Sequence, residues 1–443
     1  MKLLLITYSF PPAAGVGVLR AHSLARYLPE SGVQVEVLTA RNAAAVGQDA
    51  SLLQQLPAGV VVHRTWALDL PFAVRKFIKR QLARKGEQAQ KPQAPVQDAP
   101  ASANPIKQLV ANLLLPDPQV GWLPFAWPAA RRRIRKHHID AVLITVPPFS
   151  SALLVSRLRR AFPSLPIVLD FRDEWLYTTL DLVSFNNNAK ARDVAATAEA
   201  ASVTDATCVV CVTEAATRAL QNRYPQLPPE RFVCIPNGYD RTPLPVAFPA
   251  PDSDLGRPIT LTYAGTVYGS TDPTSFVDAV LSLPSELRTR LRLRFIGHIE
   301  TPAYRATLER LGTQVELLGF MPQAQALQEL ETTDYLLLIT HDPINVAAKL
   351  YDYISSGKPI LAAVHPEGDV RDIVERTRTG WCADVRDPQT IAKLLREAIE
   401  RAPALAEQFH PDAALIAQYH RRPLTSRYAA LLNELVAAKK NAG

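Results

Sequence analysis

The feature that most constrains this chain is a regular alternation of short apolar runs and helical stretches, which occurs twice along its 443 residues. In the first half, the runs are rich in leucine and β-branched residues, so they predict buried strands. Helices are predicted at 19–28, 150–162 and 214–223. This alternation is typical of a parallel sheet covered by helices on both faces. The predicted strands are residues 3–8, 33–38, 60–63, 141–145, 167–170, 208–213 and 232–235.

The same alternation begins again after a stretch of turn-forming residues at 243–258. Helices are predicted at 275–283, 304–311 and 345–356. The fold class predicted from both halves is therefore α/β, with two doubly wound, Rossmann-like domains in tandem. Ligands of such sheets bind beyond the carboxyl ends of the strands, so the loops at those ends are candidate sites. The strands predicted in the second half are residues 259–264, 293–296, 315–318, 335–338 and 360–363.

The length of the chain allows two domains that each bury a core of their own. We assign residues 1–240 to the first domain, 241–258 to a linker and 259–420 to the second domain. Residues 421–443 are predicted to form a helix that returns to the first domain. Residues 86–105 are rich in Pro, Ala and Gln with almost no large apolar side chain, so we predict a flexible insertion there.

Composition indicates a soluble, reduced protein. Hydrophobic residues make up 47% and charged residues 21% of the chain, and no apolar run approaches the ~20 residues of a membrane span. The N-terminal apolar run is short, so it predicts a first strand rather than a signal peptide. Cys208 and Cys211 form a C-x-x-C inside an apolar strand, where residues three apart face opposite sides. Core cysteines in a cytoplasmic protein are favoured over redox or zinc chemistry.

Charge is distributed unevenly along the chain, which has a net charge of +7. Residues 1–240 hold 27 Lys and Arg against 18 Asp and Glu, whereas the remainder holds 22 against 24. Residues 71–85 predict a basic amphipathic helix, and residues 131–136 add a second basic run. Two interpretations stay open: peripheral docking of the first domain on an anionic membrane, at the inner face of the plasma membrane, or an ordinary solvated surface. A nucleic-acid partner is not expected.

The first candidate binding loop is residues 8–17, YSFPPAAGVG, between the first strand and a helix. Gly15 and Gly17 would let backbone N–H groups approach a phosphate closely. A dinucleotide fingerprint is disfavoured, because Arg20 replaces its third glycine and Ala40–Arg41 replaces the acidic residue after the second strand. A bare turn and a loop that contacts a diphosphate or sugar both remain possible.

The second candidate site is the predicted helix between Asn345, a candidate N-cap, and Gly357, a candidate C-cap. Lys349 and Asp352 are three residues apart and share one helix face. The cation suits a diphosphate, and the carboxylate can accept hydrogen bonds from ribose hydroxyls. The alternative is an ion pair between the two on a solvated face.

The third candidate site is residues 168–175, VLDFRDEW, at the end of a strand. Three carboxylates around an arginine at a strand end are not typical of an ordinary core. A structural ion pair between Asp170 and Arg172 is one interpretation, and a functional role for this cluster is the other. Asp173 is then the carboxylate expected to meet a substrate.

Together these segments resemble family 4 of the retaining GT-B glycosyltransferases over nearly the whole chain. The loop at 8–17 resembles the family's acceptor and donor-phosphate loop. The block at 170–175 resembles one found in a branch of bacterial surface-polysaccharide enzymes. Residues 235–240, IPNGYD, match the family's hinge motif. The remaining similar segments are YAGT at 263–266, FIGH at 295–298, LGFM at 318–321, KLYDY at 349–353 and GKPI at 357–360.

The resemblance implies a GT-B fold with a cleft between two domains and a nucleotide-sugar donor held mainly by the second domain. It implies catalytic roles for Asp173 and Lys349. Donor-binding residues are expected at Gly15, Gly17, Gly265, Thr266, His298, Phe320, Met321, Lys349 and Asp352.

The chain also departs from the family pattern. Ile344 replaces the first glutamate of the E-x7-E block, and Asp352 replaces the second. The Arg and Lys that many members carry after the first strand of domain two are absent from residues 265–270, so Lys349 is expected to supply the charge. No metal and no cofactor are expected, since the only D-x-D, at 252–254, lies in the linker.

The function predicted is transfer of a sugar from a nucleoside-diphosphate sugar to a glycan or lipid-linked acceptor, with retention at the anomeric carbon. Two alternatives remain open. One is a nucleotide-sugar epimerase of the same fold, and the other is a non-catalytic, degenerate binding subunit.

Overall fold

A computed structural model of the chain describes residues 1–43, 47–68, 114–178, 189–246, 248, 258–321, 323–400 and 403–441. The chain forms two compact units. Unit 1 comprises Met1–Cys211, Leu220–Val233 and Thr425–Gly443, and unit 2 comprises Val212–Ala219 and Cys234–Leu424. The helix expected at 71–85, the insertion expected at 86–105 and the D-x-D at 252–254 lie outside the described residues.

Unit 1 is built on a parallel sheet whose strands are mostly buried. The strands are β1 (Lys2–Ile6), β3 (Gln34–Ala40), β5 (Val61–Thr65), β6 (Ala141–Val146), β7 (Ile167–Phe171), β8 (Cys208–Cys211) and β9 (Phe232–Cys234). Their order is β5-β3-β1-β6-β7-β8-β9. Every residue of β6 and β7 is buried, as expected for strands covered on both faces. A separate antiparallel pair joins β2 (Ala13–Ala14) to β4 (Gly47–Gln48).

Helices alternate with these strands along the chain, the last of them running from unit 2 into unit 1, and short 3-10 turns lie at 28–31, 118–122, 149–152 and 229–231. The helices are α1 (Val16–Tyr27), α2 (Ser51–Gln54), α3 (Leu123–His137), α4 (Leu153–Ala161), α5 (Trp175–Thr178), α6 (Ala189–Asp205) and α7 (Glu214–Arg223). Cys208 and Cys211 are buried free thiols, so the prediction of core cysteines is confirmed.

Unit 2 repeats the architecture with six parallel strands. They are β10 (Ile259–Ala264), β11 (Leu291–Ile296), β12 (Val315–Gly319), β13 (Tyr335–Thr340), β14 (Ile360–Val364) and β15 (Gly380–Asp384). Their order is β12-β11-β10-β13-β14-β15. The helices are α8 (Thr274–Ser282), α9 (Ser285–Arg288), α10 (Pro302–Glu309), α11 (Gln323–Glu331), α12 (Lys349–Ile354), α13 (Asp369–Thr377), α14 (Pro388–Ile399), α15 (Pro403–Gln408) and α16 (Ala413–Gln418), with 3-10 turns at 269–271 and 312–314.

In both sheets the chain builds outward from the first strand to one edge and then continues on the other side of that strand. The order in which strands are added therefore reverses between the parallel neighbours β1 and β6 in unit 1, and between β10 and β13 in unit 2. Doubly wound sheets bind ligands at the carboxyl ends of the strands where this reversal occurs. The loops after β1, β6, β10 and β13 are thus the candidate positions for a site.

The last helix, α17 (Arg421–Asn441), packs from Thr425 onward with unit 1. Leu424, Tyr428, Leu432 and Val436 are buried along it. Their spacing of four residues gives one apolar stripe on the helix. No described helix has both the length and the apolarity needed to cross a bilayer.

The predicted helix at 345–356 is shorter than expected, because α12 begins at Lys349. Asn345 is not an N-cap. Instead, the Oδ1 atom of Asp342 accepts hydrogen bonds from the backbone N–H groups of Ile344 and Asn345, both at 2.8 Å, and this turn precedes the helix. Gly357 lies beyond the C-cap, Ser355, and has a φ of +71°.

Candidate functional site

Three glycines stand at the carboxyl ends of neighbouring strands in unit 2. Gly265 (φ +148°) follows β10, Gly297 (φ +129°) follows β11, and Gly319 (φ +71°) ends β12. The N–H of Gly265 donates to the carbonyl of Ile296 and that of Gly297 to Gly319, each at 2.8 Å. A Cβ at Gly297 would collide with the carbonyl oxygen of Gly265. This edge is therefore a tightly packed backbone surface without side chains.

Lys349, the first residue of α12, places its ammonium at this glycine edge. The Nζ atom lies 3.6 Å from the centroid of the Tyr263 ring. A Cβ built on Gly265 would lie 3.2 Å from the same atom. Burial lowers the pKa of Lys349 well below its ordinary value. Lys349 is half-buried, and among the described residues its ammonium has no hydrogen-bond or carboxylate partner. An anionic ligand would therefore stabilise its charged form.

The aromatic ring beneath Lys349 is itself held in place. The hydroxyl of Tyr263 donates to the carbonyl of Thr266 at 2.8 Å, and the Thr271 hydroxyl donates to the same carbonyl at 3.1 Å. Burial raises the pKa of Tyr263 above its ordinary value, so the ring stays neutral and attracts the ammonium through its π face.

Asp352 lies one turn after Lys349 in α12, yet the two side chains form no ion pair. The alternative of a solvated ion pair is therefore wrong. The half-buried carboxylate of Asp352 makes no hydrogen bond to a described residue. Burial raises its pKa, and the positive charges of Arg421 and Arg241 oppose that rise. Both of its oxygens are thus available to hydroxyl groups of a ligand.

The other expected donor-binding residues lie on loops at the same edge. Thr266 and His298 are exposed, and the carbonyl of His298 accepts a hydrogen bond from the N–H of Val267 at 2.8 Å. Phe320 is 77% exposed, which is unusual for a phenylalanine, and Met321 is half-buried. Their contact with a donor stays a prediction.

In unit 1, Arg172 fastens the glycine loop that follows β1. Its guanidinium donates to the carbonyl oxygens of Gly17 and Pro147 and to that of Val146 at 3.2 Å. A Cβ at Gly17 would lie 2.9 Å from the Nη1 atom of Arg172. Gly15, with a φ of +133°, precedes α1 as its N-cap. Arg172 therefore ties the first turn of α1, directly after the loop that follows β1, to the loop after β6.

The predicted ion pair between Asp170 and Arg172 is wrong, because Asp170 has other partners. Its Oδ1 atom lies 2.9 Å from the Nη2 atom of Arg20 and accepts a hydrogen bond from the Tyr428 hydroxyl at 2.7 Å. Asp170 is fully buried, so these partners satisfy a charge that water cannot reach. Asp173 is half-buried beside Arg172 and raises the pKa of that guanidinium, which burial lowers.

Sequence reasoning missed the partners that lie far away in the chain. Nothing in the spacing of residues indicated that Tyr428 contacts Asp170. Tyr263 was noted only as part of a strand-end motif, although its position in an apolar strand did predict burial. Among the described residues, no group of three His, Cys, Asp or Glu side chains has an arrangement that could hold a metal ion.

Two Rossmann-like units in tandem are the GT-B architecture of glycosyltransferases, and solved structures with this fold match nearly the whole chain. HepE from Anabaena, solved with UDP and glucose, is 16% identical with a TM-score of 0.63, covering 98% of this chain and 99% of its own. Sucrose-phosphate synthase from Thermosynechococcus elongatus is 14% identical (TM-score 0.61; 99% of each chain). WaaG, a glycosyltransferase involved in lipopolysaccharide biosynthesis, is 16% identical (TM-score 0.59; 97% and 99%). The predicted fold class is confirmed.

The chain belongs to the glycosyl transferase 4-like family, whose domain matches residues 15–238. The family of group 1 glycosyl transferases matches residues 258–401. The protein is therefore an enzyme, a glycosyltransferase. No curated protein matches the chain.

Proposed function

We propose that the enzyme transfers a sugar from a nucleoside-diphosphate sugar to a hydroxyl of a glycan or lipid-linked acceptor, with retention, in polysaccharide or glycoconjugate biosynthesis. The observation that carries the proposal is the half-buried ammonium of Lys349 beside the glycine edge, which has no carboxylate partner among the described residues. A diphosphate supplies the anion that this cation lacks. The UDP and glucose bound to HepE and the lipopolysaccharide role of WaaG support the ligand class and the pathway.

Lys349 is the group in unit 2 that can lower the barrier to sugar transfer. When the bond between the sugar and the diphosphate breaks, negative charge builds on the departing phosphate oxygen. A cation already held beside the phosphate stabilises that charge without reorganising, and such electrostatic stabilisation contributes more to catalysis than any other effect in many enzymes. Asp352 accepts hydrogen bonds from the ribose and so fixes the nucleotide relative to Lys349. The reaction as proposed needs no metal ion.

In unit 1, Asp173 is proposed to orient a sugar hydroxyl. It lies directly after Arg172, which holds the loop of Gly15 and Gly17. Contact of that loop with the diphosphate remains part of the proposal. A variant Asp173→Asn keeps the shape of the side chain, so we expect a lower kcat with little change in nucleotide affinity.

The proposal is tested first by thermal unfolding of the wild-type chain against a panel of nucleotide sugars. A ligand at 100 times its Kd stabilises the folded state by about 2.7 kcal/mol. The donor found in this way is then incubated with glycan and lipid-linked acceptors, and the anomeric configuration of the product is read by NMR. Absence of stabilisation by every nucleotide sugar, or a product with inverted configuration, would contradict it.

We also propose that unit 1 docks on an anionic membrane surface. α3 exposes Arg131, Arg132, Arg135 and Lys136, while its buried face packs with Leu123, Ala126, Ala130 and Ile134. Neither α3 nor its neighbour α4 contains an acidic residue. Each basic residue near an anionic surface contributes about 1 kcal/mol, weakened by salt.

Co-sedimentation with vesicles of neutral lipid, with and without acidic lipid, tests the docking. A variant with glutamate at 131, 132, 135 and 136 should lose the binding that the wild type shows to acidic vesicles. The matched control reverses four exposed charges elsewhere, at Lys393, Arg396, Lys439 and Lys440. Equal loss in both variants, or binding of the wild type to neutral vesicles, would contradict docking through α3.

A further inference from the structure

The ring of Tyr263 is a rigid part of the core of unit 2. The side chain is fully buried, and its ring packs against that of Phe295 on the neighbouring strand β11, with 5.4 Å between the ring centroids. Its hydroxyl donates to the carbonyl of Thr266 at 2.8 Å. The side chain is thus held by packing along its length and by a hydrogen bond at its tip, so its π face has a fixed position.

The helix that carries Lys349 is fastened to the same strand. The hydroxyl of Tyr353, one turn after Lys349 in α12, accepts a hydrogen bond from the N–H of Ala264 at 2.8 Å. Tyr353 is buried, and Ala264 is the last residue of β10, directly after Tyr263. The first turn of α12 therefore cannot move away from the ring without breaking this hydrogen bond.

The end of the Lys349 side chain lies in the space between this ring and the backbone of Gly265. The Nζ atom is 3.6 Å from the centroid of the Tyr263 ring. A Cβ built on Gly265 would lie 3.2 Å from that Nζ atom and 3.4 Å from the Cδ atom of the lysine. Because glycine has no side chain, the lysine packs closely over it. The ammonium therefore already lies at the glycine edge when no ligand is bound.

The partner of the ammonium is an aromatic ring, which attracts a cation without carrying a charge of its own. A carboxylate in the same place would neutralise Lys349 and would compete with an anionic ligand. The ring instead leaves the positive charge uncompensated. An ammonium has three N–H groups, and those on the side away from the ring remain available to an anion. The contact thus orders the cation and leaves its charge to the ligand.

We propose that Tyr263 is a positioning residue for nucleotide binding: its π face holds the ammonium of Lys349 at the glycine edge, where the ammonium contacts a diphosphate. The flexible lysine side chain then loses its freedom when the protein folds, and this loss does not weaken ligand binding. The inference rests on the proposed function, because it takes a diphosphate as the ligand of Lys349. It adds an aromatic group that acts through the lysine.

The test changes the electron density of the ring while its shape stays nearly the same. Position 263 carries phenylalanine in the variant Tyr263→Phe, and mono-, di- and trifluorinated phenylalanine in three further variants. All four lack the hydroxyl that bonds to Thr266, so that loss is common to the series. Fluorine withdraws electron density from the π face and weakens its attraction for a cation.

The measurement is calorimetric affinity for whichever of UDP, GDP and ADP the wild type binds most tightly. Every titration is done at pH 8, so that the ionisation of the nucleotide is the same throughout. We expect the affinity to fall with each added fluorine, by about twofold to thirtyfold over the series, which is the range of a cation–π contact.

Two controls separate this role from a merely structural one. In Lys349→Met, which removes the charge and keeps the length of the side chain, the same series at position 263 should show no trend. Fluorinated phenylalanine at Phe276, a buried residue of α8 in the same core, should leave the affinity unchanged. Urea denaturation midpoints check that the members of each series fold equally well.

The outcomes distinguish the two proposals. An affinity that stays constant or rises with fluorination at position 263, or that falls equally in Lys349→Met, overturns the role of Tyr263 and leaves nucleotide binding standing. A folded wild type that binds none of the three nucleotides overturns the proposed function, and this inference with it.

Discussion

At the scale of single residues, Lys349 is a cation whose burial is not offset by any described carboxylate. We predict that Lys349→Ala lowers the affinity for nucleoside diphosphates about tenfold to a hundredfold, since a charge-assisted contact contributes about 1.5–3 kcal/mol. Calorimetry gives the affinities, and Lys393→Ala on the exposed face of α14 is the control. Equal affinities in all three proteins would contradict the prediction.

The same lysine should make the nucleotide affinity fall at alkaline pH. Burial lowers the pKa of Lys349 in the free protein. A bound diphosphate favours the charged form, so affinity is highest below the lowered pKa and is lost as pH rises through it. We expect this loss at a lower pH than an ordinary lysine would give, and we expect it to be absent in Lys349→Ala.

A second residue-scale prediction concerns two carboxyl groups in the core of unit 1. Glu174 and Glu199 are both fully buried and share the guanidinium of Arg223. The Oε2 atom of Glu199 has no hydrogen-bond partner among the described residues. Burial raises the pKa of Glu199, and Arg223 opposes the rise.

The sign of the pH effect follows from this raised pKa. Between its unfolded and folded pKa values, Glu199 binds more protons in the folded state, so its contribution to stability falls as pH rises. Glu199→Gln cannot ionise. The free energy of unfolding of this variant, relative to the wild type, should therefore increase from pH 5 to pH 8. A difference that is constant or decreases would show that folding does not raise the pKa of Glu199. Urea denaturation at the two pH values measures it.

At the scale of structural elements, the ends of β10 and β11 depend on the absence of side chains. Gly297→Ala places a Cβ against the carbonyl of Gly265 at a φ of +129°. We predict a loss of about 1–3 kcal/mol in the free energy of unfolding, together with weaker nucleotide binding. Gly269→Ala is the control, because nothing lies within 4 Å of its added Cβ. Similar denaturation midpoints for both variants would contradict the prediction.

The strands were the elements that could be predicted most closely from sequence. The run at 259–264 coincides with β10, since a short apolar run of β-branched residues next to a turn has few other structures open to it. β15 (Gly380–Asp384) was not predicted, because Gly, Trp, Cys, Ala and Asp do not form an apolar run. The start of α12 was misplaced, since a turn centred on Asp342 competes for the same backbone groups that a helix cap would use.

The candidate site was predictable only where its residues are close in sequence. Lys349 and Asp352 were singled out by their helical spacing, and Gly265 and Gly297 by their strand-end motifs. The hydrogen bond of Tyr428 to Asp170 was not predicted, because long-range pairing is decided by how helices pack and leaves no local pattern. Spacing also suggested an ion pair between Lys349 and Asp352. Instead, the ammonium of Lys349 lies against the ring of Tyr263, and the two side chains do not contact each other.

At the scale of the whole molecule, we predict that sugar transfer proceeds without a divalent metal. Lys349 can meet the diphosphate charge in the proposed reaction. Activity measured with a fixed donor and acceptor should be unchanged by excess EDTA. Complete loss that magnesium or manganese restores would show that a metal takes the role proposed for Lys349.

The C-terminal helix α17 has a consequence for how the protein is made. Its residues from Thr425 onward belong to unit 1, and the Tyr428 hydroxyl bonds to Asp170 beside Arg20 in the core of that unit. During synthesis on the ribosome, Arg20 and Asp170 emerge long before Tyr428. The ion pair of Arg20 and Asp170 in the first unit therefore lacks the hydrogen bond from Tyr428 until nearly all of the second unit has been translated. Stop codons that remove only the last helix should consequently damage the domain made first.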